Sequence, residues 1–227
     1  MSGRICKLVR LPGLTDYGEA LALQRRLARQ RVAGQLEADI LLLLEHGRVI
    51  TLGRGARKSN ITVPTEFLER KGIEVHEVER GGDVTYHGPG QLVGYPIIDL
   101  TRHKQDLHWY LRRLEEVLIR SLAAYDILAR RIPSFTGVWV GDRKIASIGV
   151  HVTRWVTFHG FALNVTTDLS DFELIVPCGI DDVNMTSVAK EMPGAPISVS
   201  EVSEHVSRCW GEVFDVLIQT AALRDLQ

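Results

Sequence analysis

The sequence has few cysteines, no excess of charge and no long apolar run, and each shortage removes a class of protein. Three cysteines in 227 residues, Cys6, Cys178 and Cys209, are too few and odd in number for a disulfide scaffold. They imply a reducing compartment with room for one reactive thiol. Lys and Arg total 27 against 28 for Asp and Glu, a formal net charge of −1, whereas a general nucleic-acid binder would carry a basic excess. The most apolar run, Ile40 to Leu44, is far shorter than the ~20 residues of a membrane helix. It ends in Glu45-His46-Gly47 and reads as a buried strand. No apolar segment of a secretory signal follows Met1. The eight histidines show no His-x-His or His-x-x-x-His spacing with a third ligand, so no metal site is expected. The expectation is a cytoplasmic protein with no membrane, nucleic-acid or metal partner.

What is present reads as a mixed succession of strands and helices. Arg4 to Leu11 forms a first strand. Asp16, with Glu19 three residues on, resembles a capping box. Tyr17, Ala20, Leu21, Gln24, Leu27 and Ala28 follow at helical spacing, giving a helix to about Arg31. Ile40 to Leu44 is a central strand, Pro64 to Gly72 a short helix with Pro early and Gly late, and Glu74 to Glu79 a half-exposed strand. Arg80 to Gln91, with four glycines and a proline, is a loop of specified backbone. A strand from Leu92 to Ile98 precedes a long helix from Asp106 to Ala124. Val138-Trp139-Val140, a Gly141-Asp142 turn and Lys144 to Val152 form a hairpin, continued by Val156 to Val165. The last helix runs from about Ser198 to Leu223. This order predicts an α/β fold of α+β type, with a mostly antiparallel or mixed β-sheet and flanking helices, and the length fits one large domain or one domain with a small appendage.

The thiols differ in setting. Cys209 shares helical spacing with Val202, Val206, Val213 and Val216, and Cys6 lies in a strand beside Ile5 and Leu8, so both read as packing. Cys178 stands between Pro177 and Gly179, after the apolar Leu174-Ile175-Val176. That is an accessible strand-end thiol, either a nucleophile or a plain loop cysteine. With an ordinary pKa of ~8.5, only about 3% is thiolate at neutral pH. A neighbouring ammonium would favour the thiolate by about 1–4 kcal/mol. Lys144, in the small, apolar Lys144-Ile145-Ala146-Ser147-Ile148-Gly149, is a candidate helper, unless it is a solvated strand lysine. The Arg80–Gln91 loop lacks the Gly-Lys-Ser/Thr ending of a P-loop and the Gly-x-Gly-x-x-Gly spacing of a dinucleotide site. Arg54-Gly55-Ala56-Arg57 is a second Arg/Gly loop, solvated or facing a ligand.

Taken together, these segments resemble a known family. Arg80-Gly81-Gly82-Asp83-Val84-Thr85-Tyr86-His87-Gly88-Pro89-Gly90-Gln91-Leu92-Val93-Gly94-Tyr95-Pro96 is similar to the signature of the octanoyltransferases of lipoate biosynthesis, with Asp83 where the family often has Gly or Glu. Leu52-Gly53-Arg54, Gly137-Val138-Trp139-Val140, Lys144 to Gly149, His159 to Asn164, Ile175 to Ile180 and Thr186-Ser187-Val188 follow in the family's order. The resemblance implies a single domain, 1–227, with the fold of biotin/lipoate protein ligases, related to class II synthetase cores. It implies that Cys178 takes an octanoyl group from acyl carrier protein as a thioester. The group then passes to a lysine on lipoyl domains of 2-oxoacid dehydrogenase E2 subunits or of the glycine-cleavage H protein. Lys144 would lower the cysteine pKa and act as acid or base. The implied acyl-binding residues are Arg80, Gly81, Gly82, Asp83, Val84, Thr85, Tyr86 and His87, then Ser147, Ile148 and Gly149, then Gly160, Phe161 and Ala162. No cofactor is implied, since exchange between thioesters is nearly balanced and thioester to amide is downhill. Arg130, Arg131, Arg143 and Arg154 are expected either to meet the acidic carrier or to be solvated. Two other functions fit the same scaffold: an ATP-dependent ligase, which needs no cysteine nucleophile, and a non-catalytic acyl-binding module.

Overall fold

The computed structural model describes residues 3–176 and 183–226. In chain order the elements are β1 (Ile5–Thr15), α1 (Tyr17–Val32), β2 (Asp39–His46), β3 (Val49–Leu52), α2 (Thr65–Arg70), β4 (Glu74–Glu77), β5 (Val84–His87) and β6 (Gln91–Ile97). Then come α3 (Leu107–Ala123), β7 (Ala129–Ile132), β8 (Phe135–Val140), β9 (Arg143–Thr153), β10 (Val156–Asn164), α4 (Val188–Glu191), α5 (Val199–Phe214) and β11 (Leu217–Thr220).

Eight strands form a mixed sheet in the order β11-β1-β2-β6-β10-β9-β8-β7, and β4-β3-β5 form a small second sheet. The first three strands of the large sheet are parallel; the rest run antiparallel. Strands β6 and β10 are buried at every residue, because helices cover both faces. Burial on both faces favours continuous apolar runs over alternation, which is why Ile40 to Leu44 is apolar throughout. On one face α3 and α5 contribute Leu114, Leu118, Val206 and Trp210 to the main core. On the other, α1 contributes Ala20, Leu27 and Ala28 against Leu42, Val93 and Phe158.

The helices start where their sequences say they should. Asp16 accepts the Glu19 amide at 2.8 Å, Asp106 accepts that of Trp109 at 3.0 Å, and Ser198 and Glu201 make a reciprocal capping box. Each satisfies a backbone donor that the helix cannot.

The C-terminus departs from expectation. Helix α5 ends at Phe214, short of Leu223, because Asp215 turns left-handed (φ 52°, ψ 56°). The following residues become β11, parallel to β1, with the Leu217 amide donating to the Arg4 carbonyl at 2.8 Å. An open β1 edge needs backbone partners, and this demand outweighs the helical reading of the apolar run. Strands β3 and β7 are also additions, and β5 lies inside the segment expected to be loop. Cys6 and Cys209 are buried, and burial pushes the Cys6 thiol well above its usual range. Among the described residues no helix is long and apolar enough to cross a membrane.

Candidate active site

A narrow cleft opens where the small sheet and its Arg80–Asp83 loop meet β9 and β10 of the large sheet. Its walls include Arg80, Asp83, Val84, Thr85 and His87 from one side, and Ser147, Ile148, Gly149, Gly160, Phe161 and Ala162 from the other. The two sets meet through strand pairing, since Gly160 lies opposite Gly149, Phe161 opposite Ile148 and Ala162 opposite Ser147. Tyr17, Tyr95 and His159 also line the cleft; sequence reasoning missed them as site residues. Tyr95 and His159 stand inside or beside the quoted motifs, while Tyr17 had no signal beyond its place at the helix start.

Gly81, Gly82 and Tyr86 do not line the cleft. The two glycines shape the loop: Gly81 donates its amide to the Val150 carbonyl at 2.9 Å, and Gly82 has φ 86°. Tyr86 points to the opposite face of β5, edge-on to Phe172 at 5.4 Å, because successive strand residues alternate. Asp83 ties the loop to its surroundings, accepting from the Asn60 side chain and from the Val84 amide, each at 2.7 Å. Arg80 is 7% exposed. Its guanidinium donates to the Thr51 carbonyl at 2.7 Å and to the Gly81 carbonyl at 3.1 Å, so it braces the loop against β3.

The histidines are uncharged and oriented. Burial, with the neighbouring His46 ring and the Arg80 guanidinium adding to it, pushes His87 down to about 3. Burial likewise lowers His46 and His159 to about 4. The Gln91 amide nitrogen donates to the Tyr86 carbonyl and to Asn164 Oδ1. Gln91 Oε1 therefore faces His87 Nδ1, 2.8 Å away, and the imidazole must donate from Nδ1. Asn164 in turn donates to the Thr186 carbonyl at 3.0 Å. By the same logic His46 donates from Nδ1 to the Thr15 carbonyl, and its Nε2 accepts the Tyr95 hydroxyl at 2.7 Å. The result is a cleft of apolar surface and neutral rings, with cationic Arg80 and anionic Asp83 at its loop. Among the described residues no three His, Cys, Asp or Glu side chains converge as metal ligands.

Lys144 is 2% exposed, with Nζ 5.4 Å from the Trp139 ring centroid. Gly137, at φ 134°, makes this possible, since a Cβ there would stand 2.8 Å from Lys144 Cε and 2.7 Å from the Ala146 carbonyl oxygen. The Lys144 amide donates to the Asn184 carbonyl at 2.8 Å, and the Thr186 amide donates to the Lys144 carbonyl at 2.9 Å. Cys178 lies outside the described residues. Its flanks are anchored: Val176 donates to the Asn60 carbonyl at 2.8 Å, and Asn184 to Thr186 run beside Lys144.

The arginines expected to meet a carrier do not form one patch. Arg131 pairs with Glu115 and Glu116 at 3.0 and 2.6 Å, and Arg143 with Glu191 at 2.9 Å. Arg130 donates to the Gly141 carbonyl at 2.9 Å. Arg154 stands just past the far end of β9 from Arg143, roughly 35 Å away at strand rise.

This fold and cleft define a class. The chain matches the family described as "Lipoyl protein ligase A/B catalytic domain" over residues 16–210, and it belongs to that family. Its curated relatives within the family carry the name octanoyltransferase. The protein of Nostoc sp. strain PCC 7120 is 53% identical over 206 residues, 89% of each chain. That of Solibacter usitatus is 54% identical over 212 residues, 93% of this chain and 94% of its own. Among solved structures, a lipoate-protein ligase A bound with ATP superposes with a TM-score of 0.77, covering 100% of this chain and 92% of that one. At 18% identity that likeness concerns the fold, and it is the ligase-type fold the motifs implied.

Proposed function

We propose that this chain is an octanoyltransferase that works through an acyl-enzyme. The Cys178 thiolate attacks the thioester carbonyl of octanoyl-carrier protein, a new C–S bond forms, and the carrier sulfur leaves with a proton from the Lys144 ammonium. A neutral lysine amine on a lipoyl domain then attacks the Cys178 thioester. The amide forms, Cys178 leaves as thiolate, and the surplus amine proton returns to Lys144. The reaction belongs to the cytoplasm, where thiols stay reduced.

The observation that carries this reading is Lys144. A lysine with 2% exposure is costly to bury without a use. Its backbone is bonded on both sides to the segment that follows Cys178, and three residues along the same strand begin the Ser147–Gly149 wall of the cleft. Small residues there leave room for an alkyl chain, and backbone amides can stabilise the oxyanion. The relatives named octanoyltransferase, at 53% and 54% identity, favour this reading over the ATP-dependent ligase.

The test is intact-mass analysis after incubation with octanoyl-carrier protein, followed by a lipoyl domain. One octanoyl group should appear on the Cys178 peptide and then move to the acceptor. Cys178→Ser and Lys144→Ala should each lose transfer. A label on another residue, or ATP-dependent attachment of free octanoate insensitive to Cys178→Ser, would overturn the proposal.

A further inference from the structure

We infer that the exposed loop bearing Arg54 and Arg57 is where the acyl-carrier donor docks, through its acidic surface and the phosphodiester of its thioester arm. This rests on the transferase reading above and adds the residues that receive the donor.

The loop is held between two functional segments. On one side its backbone is fastened to the cleft wall: the Gly53, Arg54 and Gly55 amides donate to the carbonyls of Asp83, Arg80 and Gly82 at 3.2, 3.0 and 3.0 Å. On the other it is fastened to the segment entering Cys178. Ile61 pairs antiparallel with Ile175, and Asn60 accepts the Val176 amide. Cys178 is two residues past Val176, at most about 7 Å of chain. A donor engaged at this loop therefore lies against the same backbone that leads into Cys178.

Its charge is unspent. Arg54 and Arg57 are both exposed, and neither makes an ion pair or side-chain hydrogen bond with a described residue. Lys58, by contrast, is paired with Glu77 at 2.9 Å. Most arginines elsewhere on the surface are likewise engaged: Arg25 with Glu79, Arg48 with Asp171, Arg131 with Glu115 and Glu116, Arg143 with Glu191. Two guanidinia with no partner among the described residues, on a loop bonded to the cleft wall, form a local anion receptor on a chain whose net charge is −1. Guanidinium suits a phosphodiester and carboxylates geometrically. The choice between donor and acceptor follows from charge. The donor brings a phosphate-bearing arm, while the acceptor brings a lysine, which these cations would repel.

The experiment compares two donors on the full chain: octanoyl-carrier protein and octanoyl-pantetheine, which has neither phosphate nor protein. In the double variant Arg54→Glu/Arg57→Glu, kcat/KM for octanoyl-carrier protein should fall about tenfold or more at low salt, the scale of a lost steering field. The fall should appear in KM, and it should shrink at 1 M salt, where the Debye length is about 3 Å. Turnover of octanoyl-pantetheine should hold, as should carrier-dependent transfer in Arg29→Glu, some 18 Å along α1 from Tyr17. An unchanged kcat/KM for the carrier, an equal loss with both donors, or a rise confined to the lipoyl-domain KM would each overturn the docking inference alone. No transfer from either donor by the unaltered protein would overturn the transferase reading beneath it.

Discussion

Acidification should weaken this fold well above the range where carboxylates titrate. His46, His87 and His159 are 0%, 7% and 1% exposed, and burial holds them at about 4, 3 and 4. In the unfolded chain each returns to ~6.5. Between pH 6.5 and 5.5 the native imidazoles stay neutral, while each unfolded one goes from about half to nine-tenths protonated. The unfolded state therefore binds more protons, and stability rises with pH across this window and is lost as pH falls. At 1.36 kcal/mol per proton per pH unit, each histidine contributes about 1 kcal/mol, or about 3 kcal/mol together. For a chain of this size that is a drop of roughly 6–12 °C in Tm. Glu79, held at about 2 chiefly by the Arg25 guanidinium, acts in a separate window. Its stabilisation is complete above its ordinary value and is lost only as pH falls toward 2. Urea midpoints at pH 6.5, 6.0 and 5.5 would measure the effect, and His87→Gln should remove about a third of the slope. A flat profile over that unit, or a variant with the full slope, would refute the claim that these three buried imidazoles are neutral in the folded chain.

Three further outcomes follow from the packing. A methyl added at Gly94 would run into the Phe161 ring, so Gly94→Ala should push that ring into the cleft. Hexanoyl donors should then gain on octanoyl in kcat/KM, with a stability loss of about 1–3 kcal/mol. Tyr17→Ala removes a wall that is 3% exposed and should raise the relative kcat/KM of donors longer than octanoyl; an unchanged chain-length profile would count against Tyr17 as a boundary of the acyl site. Glu115, 1% exposed, accepts from Arg112 at 2.7 Å and Arg131 at 3.0 Å. Since both arginines retain access to water, Glu115→Ala should cost about 1–3 kcal/mol in urea unfolding, the scale of lost charge-assisted hydrogen bonds.

Local signals read well because they act within a few residues. The Asp16–Glu19 capping signal, the helix starts near Asp106 and Ser198 and the buried β2 were all visible along the chain. The segments that the family resemblance implied to hold an acyl chain mostly fall at one cleft. Its walls are short contiguous segments, Arg80–His87, Ser147–Gly149 and Gly160–Ala162, and most of their members do line it. Other features failed where two distant segments had to meet. Nothing along the chain separates Tyr86 from His87 until β5 is seen to be a strand with two faces. The arginines once grouped together are divided by the carboxylates that claim them and by the length of β9. The expected continuation of α5 becomes β11 because β1 has an edge to fill.

The sequence by itself determined which residue types sit together in each loop and strand: a strand-end thiol, a lysine among small apolar residues, a glycine-rich loop. Tertiary structure alone decided which side chains line the cleft. The His87–Gln91–Asn164–Thr186 chain of hydrogen bonds and the pairing of Lys144 with Asn184 and Thr186 join segments far apart in sequence. Their formation depends on strand register and on each buried polar group finding a partner. Periodicity carries no record of those partners, so the chemistry was readable in pieces and its assembly only in the folded chain.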